Sequence, residues 1–362
     1  IMRIKFIANY IISFCGNFKI ILDSLFFKEY DVVFYSKEFF HDDWIVSSLR
    51  NINKKKLHVL YIYSFSTSIK DKEGVAIIKL PERALSHIKT DILITAVSGI
   101  PRDVVSSNIR ELVHMPHSFV SLHMVYAKDT FDAYNTIFSC GPHHDKEIEM
   151  INKVRGLKIK SVPIGYGRLD HYLLKTECDL ICREERKVLI APSWASGNII
   201  DNIAIDLIHS LIECNYDVYL RPHPQHWRHF SSQLRGIVNI FNNSDKFHLN
   251  TQDDSGPLFA CDILITDYSG ISFDFYFIRS RPIIFVNSPL KSNNSEIDLY
   301  SINPIELSIR DEIGVISSHT IDDILEKVNN RDFKEFSIER LLYNYGGCSL
   351  AVNNYIENRI KG

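Results

Sequence analysis

The stretch Ile263-Leu-Ile-Thr-Asp-Tyr-Ser-Gly-Ile-Ser-Phe-Asp-Phe275 sets the strongest limit on how this chain can fold. An apolar, β-branched run breaks at Thr266-Asp267 into small and polar residues, the pattern of a buried parallel strand handing over to a helix. Tyr219-Leu-Arg-Pro-His-Pro224 shows a similar break about forty residues earlier, and the two are expected at the mouths of neighbouring strands. The carboxyl ends of strands in open α/β sheets are where ligands bind. Ser269, Gly270 and Ser272 fall where the helix would begin and offer hydroxyls and free N–H groups to an anion, for which a phosphate is the natural guest. Pro222 and Pro224 stiffen the turn that presents Arg221 and His223.

The alternation of strand and helix patterns recurs in both halves. Residues 31–35, 57–63, 75–80, 91–96 and 135–139 read as strands of one unit, and 187–191, 216–220, 237–241, 261–266 and 282–286 as strands of a second. Asn198 to Cys214 reads as an amphipathic crossover helix. A length of 362 residues with 45% apolar content suits two such domains. The expected division is 1–174 and 175–345, with a helix within 346–362 crossing back to the first unit. Two facing α/β domains hold a ligand in the cleft between them.

A net charge of −3 argues against a nucleic-acid partner or general capture by an anionic surface, so an anion site must be a local basic cluster. The seven cysteines are scattered without a C-x-x-C spacing, as buried reduced thiols of a cytoplasmic protein would be. The apolar stretch Met2 to Cys15 is too short for a membrane span and lacks a cleavage site; a core strand or helix is expected there, the second reading being an interfacial segment.

No dinucleotide fingerprint, P-loop or Asp-x-Asp occurs. A site without metal or cofactor would neutralise a leaving phosphate with Arg, His, hydroxyls and a helix N-terminus, which Arg221, His223, Ser269, Gly270 and Ser272 supply. Asp267 is expected to orient a partner or cap the helix, since a carboxylate aimed at phosphate would repel it. Asp274 is read as a ribose or polyol ligand, or as a surface partner of Arg279 or Arg281. His117 is a candidate general base, weighed against a structural histidine. Its neighbours His114 and His123 lack the spacing and carboxylate of a metal set. Arg168 and Asp170 are assigned to bracing the hinge, and Phe273, Phe275, Tyr276 and Phe277 to the core.

The ordered series Phe138-Ser-Cys-Gly-Pro142, Ile164-Gly-Tyr-Gly-Arg-Leu-Asp170, Val188-Leu-Ile-Ala-Pro-Ser-Trp194, Leu220-Arg-Pro-His-Pro224, Thr266 to Phe275 and Arg281-Pro-Ile-Ile-Phe285 resembles the CDP-glycerol glycerophosphotransferase family of teichoic-acid and capsule polymer synthases. The resemblance spans roughly residues 110 to 290. It implies a GT-B architecture of two Rossmann-like domains facing across a cleft, the donor on the C-terminal domain and the acceptor on the N-terminal side. It implies transfer of glycerol phosphate or ribitol phosphate from a CDP-activated donor to a hydroxyl of a glycan or lipid-linked glycan, with release of CMP. A cytoplasmic enzyme in peripheral contact with the inner membrane face is the corresponding expectation. The chain departs from the family pattern at His114-Met-Pro-His-Ser118, where Trp-His-Gly is usual, at Ala191-Pro-Ser-Trp-Ala195, which lacks an arginine, and at Gly270, where serine is usual. A CMP-sugar glycosyltransferase of the Kdo or sialic-acid kind is the alternative, followed by a nucleotide-sugar epimerase and a non-catalytic glycan-binding protein.

Overall fold

The computed structural model describes residues 30–37, 42–52, 56–67, 69, 75–176, 186–194, 197–250, 255–290, 292–330 and 336–361. The apolar N-terminal stretch, most of the charged segment between the two units, and Ala195 lie outside the described residues.

The first sheet contains β1 (Tyr30–Ser36), β2 (Val59–Tyr63), β3 (Val75–Lys79), β4 (Thr90–Thr95), β5 (Ile109–His114), β6 (Thr136–Ser139) and β7 (Lys160–Pro163). Its order is β3-β2-β1-β4-β5-β6-β7. The second contains β8 (Lys187–Ile190), β9 (Asp217–Leu220), β10 (Phe247–Leu249), β11 (Ile263–Thr266), β12 (Ile283–Val286) and β13 (Val315–Ser317), in the order β10-β9-β8-β11-β12-β13. All pairings are parallel. These are two Rossmann-like units of a GT-B fold, each reversing its strand order once, at β1/β4 and at β8/β11.

The strands are apolar on both faces because both faces are covered. Val33, Tyr35, Leu60 and Leu93 join one core cluster, while their chain neighbours Val32, Phe34, Tyr61 and Ile92 join another. Each fully buried aliphatic side chain of this kind contributes about 1.5–3 kcal/mol. In the second sheet Leu189 and Leu264 face one cluster and Val188, Ile190 and Ile265 the other.

The helices that matter for the site are α1 (Asp42–Asn51), α2 (Pro142–Arg155), α3 (Gly167–Thr176), α4 (Pro224–His229), α5 (Ser231–Phe241), α6 (Ile271–Arg279), α7 (Ile305–Ser308) and α8 (Cys348–Lys361). The strand expected at 237–241 is the end of α5. Leu234, Ile237 and Phe241 are its buried residues, at helical spacings of three and four that a five-residue window conceals. The crossover expected over 198–214 is two helices, Ile199–Asn202 and Ala204–Glu213.

α8 buries Cys348, Val352 and Ile356 in the core cluster of the first sheet, and Asp170 at the start of α3 accepts bonds from its Cys348 and Ser349 N–H groups. The chain reaches α8 by crossing Gly165, whose φ of +99° and missing side chain let the Tyr343 carbonyl pass. Among the described residues no helix is long and apolar enough to cross a membrane.

Candidate functional site

Three adjacent strands of the second sheet, β9, β8 and β11, end in the loops that carry the motifs. The two motifs are not on neighbouring strands as expected: β8 lies between them, and its loop ties them together. Asp267 is fully buried and accepts from both the N–H and the hydroxyl of Ser193 at 2.7 Å. It therefore orients the β8 loop and does not cap α6, where no side-chain cap bond forms. Burial raises the Asp267 carboxyl above its usual range, with the Ser193 bonds opposing the shift.

One residue further on, the Trp194 ring stacks on His223 and His229, at centroid distances of 6.3 and 5.9 Å. His223 caps α4 through Nδ1, which accepts from Gln225 N at 3.2 Å. That bond assigns the proton of the neutral imidazole to Nε2, which is then a donor. Arg221 is buried and donates to Asn250 Oδ1 at 2.7 Å.

At the start of α6, Ser269 and Gly270 are partly exposed. Ser272 is buried, and its hydroxyl donates to the Ser269 carbonyl at 2.9 Å, so the two serines do not present hydroxyls side by side. Asp274 is also buried. It accepts from the Tyr166 hydroxyl at 2.8 Å and pairs with Arg168 at 3.5 Å. The expected surface partners Arg279 and Arg281 instead donate to the Phe259 carbonyl. Asp274 thus faces inward, onto the seam with the first unit.

A Cβ placed on Gly270 would lie 2.6 Å from Val120 Cγ1 and 2.7 Å from Ser118 Oγ. The start of α6 is therefore in direct contact with the loop that follows β5. That loop carries His117, whose carbonyl lies 3.4 Å from the Tyr166 hydroxyl. Burial, with the Arg168 charge adding to it, lowers His117 to about 4. Its imidazole is neutral near pH 7.

Buried and half-buried side chains from both units hold this loop. His143 and His144 on α2 bond the carbonyls of Phe119 and Val120 at 3.1 and 3.0 Å. Glu147 accepts the Leu122 N–H at 2.5 Å, and Asn294 donates to the His123 carbonyl at 2.8 Å. Glu306 on α7 accepts from the N–H of Ser121 at 2.9 Å and from its hydroxyl at 2.5 Å. Burial raises the Glu306 carboxyl to about 7. Among the described residues no group of histidines, cysteines and carboxylates is placed to hold a metal ion; His114 is enclosed by the rings of Tyr126, Phe131 and Tyr134.

The profile of the CDP-Glycerol:Poly(glycerophosphate) glycerophosphotransferase family matches residues 121–301, half of the chain. The chain belongs to this family. The matched stretch takes in both motif loops of the second sheet and stops short of His117 at one end and Glu306 at the other. A curated relative, the teichoic acid glycerol-phosphate primase of Bacillus subtilis (strain 168), is 28% identical over 184 residues, 49% of this chain. The alignment spans 45% of that relative's length. Among solved structures, the wall teichoic acid polymerase TagF is 14% identical with a TM-score of 0.56, over 91% of this chain and 89% of its own. The UDP-GlcNAc 2-epimerase of Methanocaldococcus jannaschii bound to UDP-GlcNAc and UDP reaches 0.58 at 12% identity, over 92% and 100%. At such identities the last two report the fold.

Sequence reasoning missed Ser121, Ser193, Asn250 and Glu306 as site-building residues. Ser193 carried a signal, since it lies in the Ala191 to Trp194 motif of the family. Glu306 carried none: its partner is 185 residues away.

Proposed function

We propose that this protein transfers a polyol phosphate, glycerol phosphate or ribitol phosphate, from a CDP-activated donor to a hydroxyl of a surface-glycan acceptor. The acceptor oxygen attacks the phosphorus next to the polyol, the bond to the CMP oxygen breaks, and CMP leaves with the electron pair. The observation that carries the reading is the contact between the His117 loop of the first unit and the start of α6 in the second. It brings a candidate proton acceptor to a helix N-terminus suited to phosphate.

In this scheme the Ser269 hydroxyl and the free N–H groups at the start of α6 bind the donor phosphates, and His223 Nε2–H donates to an oxygen of the leaving CMP. His117 takes the acceptor proton. The negative charge of a bound donor offsets Arg168 and raises His117 from its donor-free value, which improves it as a base. Asp267 and Asp274 act through other groups, the first by holding Ser193 and the second by holding Tyr166 and Arg168. Arg221 and the Trp194 wall complete the donor side.

We take residues 175–345 as the donor-binding domain and 1–174, with the returning helix in 346–362, as the acceptor side. A lipid-linked glycan would be met from the cytoplasm at the inner membrane face. The test is calorimetric titration of the protein with CDP-glycerol, CDP-ribitol, CMP-Kdo, CMP-sialic acid and UDP-N-acetylglucosamine. Selective binding of a CDP-polyol is expected; preference for a CMP-sugar or the uridine donor overturns the proposal.

A further inference from the structure

At the amino ends of β5, β6 and β7, remote from the cleft, a recess of about 320 Å³ is lined by Arg102, Arg110, Lys158, Lys160 and Arg359. Two carboxylates share it, Glu111 and Asp132, and both are engaged. Glu111 accepts from Thr136 Oγ1 at 2.5 Å, Tyr355 OH at 2.6 Å and Arg359 Nε at 2.7 Å. Asp132 accepts from Arg155 at 2.6 Å. Arg110 pairs with Asp91 at 2.8 Å. The side chains of Arg102, Lys158 and Lys160 have no hydrogen bond or ion pair among the described residues.

Three exposed cations without a protein partner round one recess, in a chain of net charge −3, favour an anion between them, the more so at low salt. Lys158 and Lys160 enter the edge strand β7, where lysines also discourage strand-to-strand association. That role does not account for Arg102, which comes from the turn before β5 and not from the edge strand. Leu157 and Ile159 are the apolar residues of the lining, and neither is exposed. A membrane-docking face would instead pair its cations with exposed apolar side chains.

We propose that the recess is a second anion site, which takes a phosphodiester group of a linear polyol phosphate chain. The choice of a polyol phosphate rests on the phosphotransfer reading; the anion site itself rests on the cations. A chain held here while its free end lies in the cleft has a raised effective concentration for the next addition.

The experiment titrates the full chain and its R102E/K158E/K160E variant with a lipid-free glycerol phosphate oligomer, with inorganic phosphate and with CDP-glycerol, at low and moderate salt. The expected result is oligomer binding that weakens as salt rises, at least a tenfold loss of it in the variant, and equal CDP-glycerol affinity in both proteins. Equal oligomer affinity in both proteins overturns the proposal and leaves the lysines as edge protection. So does binding by the parent of phosphatidylglycerol vesicles without binding of the oligomer, which assigns the recess to a membrane. Failure of either protein to bind CDP-glycerol would strike at the phosphotransfer reading, while the oligomer titration still decides the recess.

Discussion

The two rims that meet at the site are built differently. On the second sheet, the loops after β8, β9 and β11 are held by parts of their own unit: Asp267 to Ser193, His223 to the start of α4, Arg221 to Asn250. On the first sheet, the loop from His117 to Val125 is held by side chains on α2 and by Asn294 and Glu306, which follow the last motif of the second unit. One rim, the candidate anion cradle, is held mainly by contacts within its own unit, with Asp274 and Gly270 as its points of contact with the other. The other is held by side chains of both units, so the position of the candidate base depends more on the seam than that of the cradle does.

Four substitutions would break or sharpen this contrast. The largest effect is expected of His223→Ala on the cradle rim: a loss of CMP release of about 10²–10⁴-fold, the usual scale for a proton donor, with the fold intact by circular dichroism. Next is Glu306→Ala on the composite rim. It leaves the N–H and hydroxyl of Ser121 without their buried acceptor, at about 1–3 kcal/mol for each unsatisfied group, and should show as a lower melting temperature together with lost turnover. A stability unchanged by E306A would remove the seam from the account.

Gly270→Ala adds a methyl where Val120 and Ser118 leave no room. Such overpacking costs about 1–3 kcal/mol, and turnover is expected to fall about tenfold as the loop is displaced. Kinetics equal to the parent would show the close approach to be incidental. The smallest effect belongs to Asp170→Ala, which removes the acceptor for the first N–H groups of α8; a loss of about 1 kcal/mol in chemical denaturation is the scale of such a cap, with little change in kcat.

The seam also has a pH signature. Because burial raises Glu306 from 4.5 to about 7, the folded chain keeps a proton through that interval which the unfolded chain has released. The stability this group lends is full in acid and is lost as pH climbs through 7. Glutamine does not titrate, so E306Q should gain in melting temperature relative to the parent as pH rises across the interval. A constant difference between the two proteins would contradict a raised Glu306.

The same contrast governs what could be read from the chain. The positions of Asp267, Ser269 and His223 in the loops after β11 and β9 were legible because each follows closely on an apolar strand run. The parallel sheets were legible for the same reason. The end of α5 was not, because five apolar and β-branched residues look alike in a strand and on one face of a helix. Of the two readings of Asp274, the surface pairing with Arg279 or Arg281 fails: sequence shows Arg279 five residues away and cannot show that Tyr166 and Arg168 arrive from the other unit. The Ser121–Glu306 contact had no local signature at all, and the strain relieved by Gly270 becomes visible only once Val120 is packed against it.

The most direct measurement is made on His117→Asn: CMP release from CDP-glycerol in the presence of acceptor, beside the calorimetric affinity for the same donor. The account predicts a fall in CMP release of at least about 100-fold, the scale of a lost general base, with donor affinity within a few-fold of the parent. Unchanged CMP release, or a donor affinity lost in parallel with it, would contradict the assignment of the base to one unit and the cradle to the other.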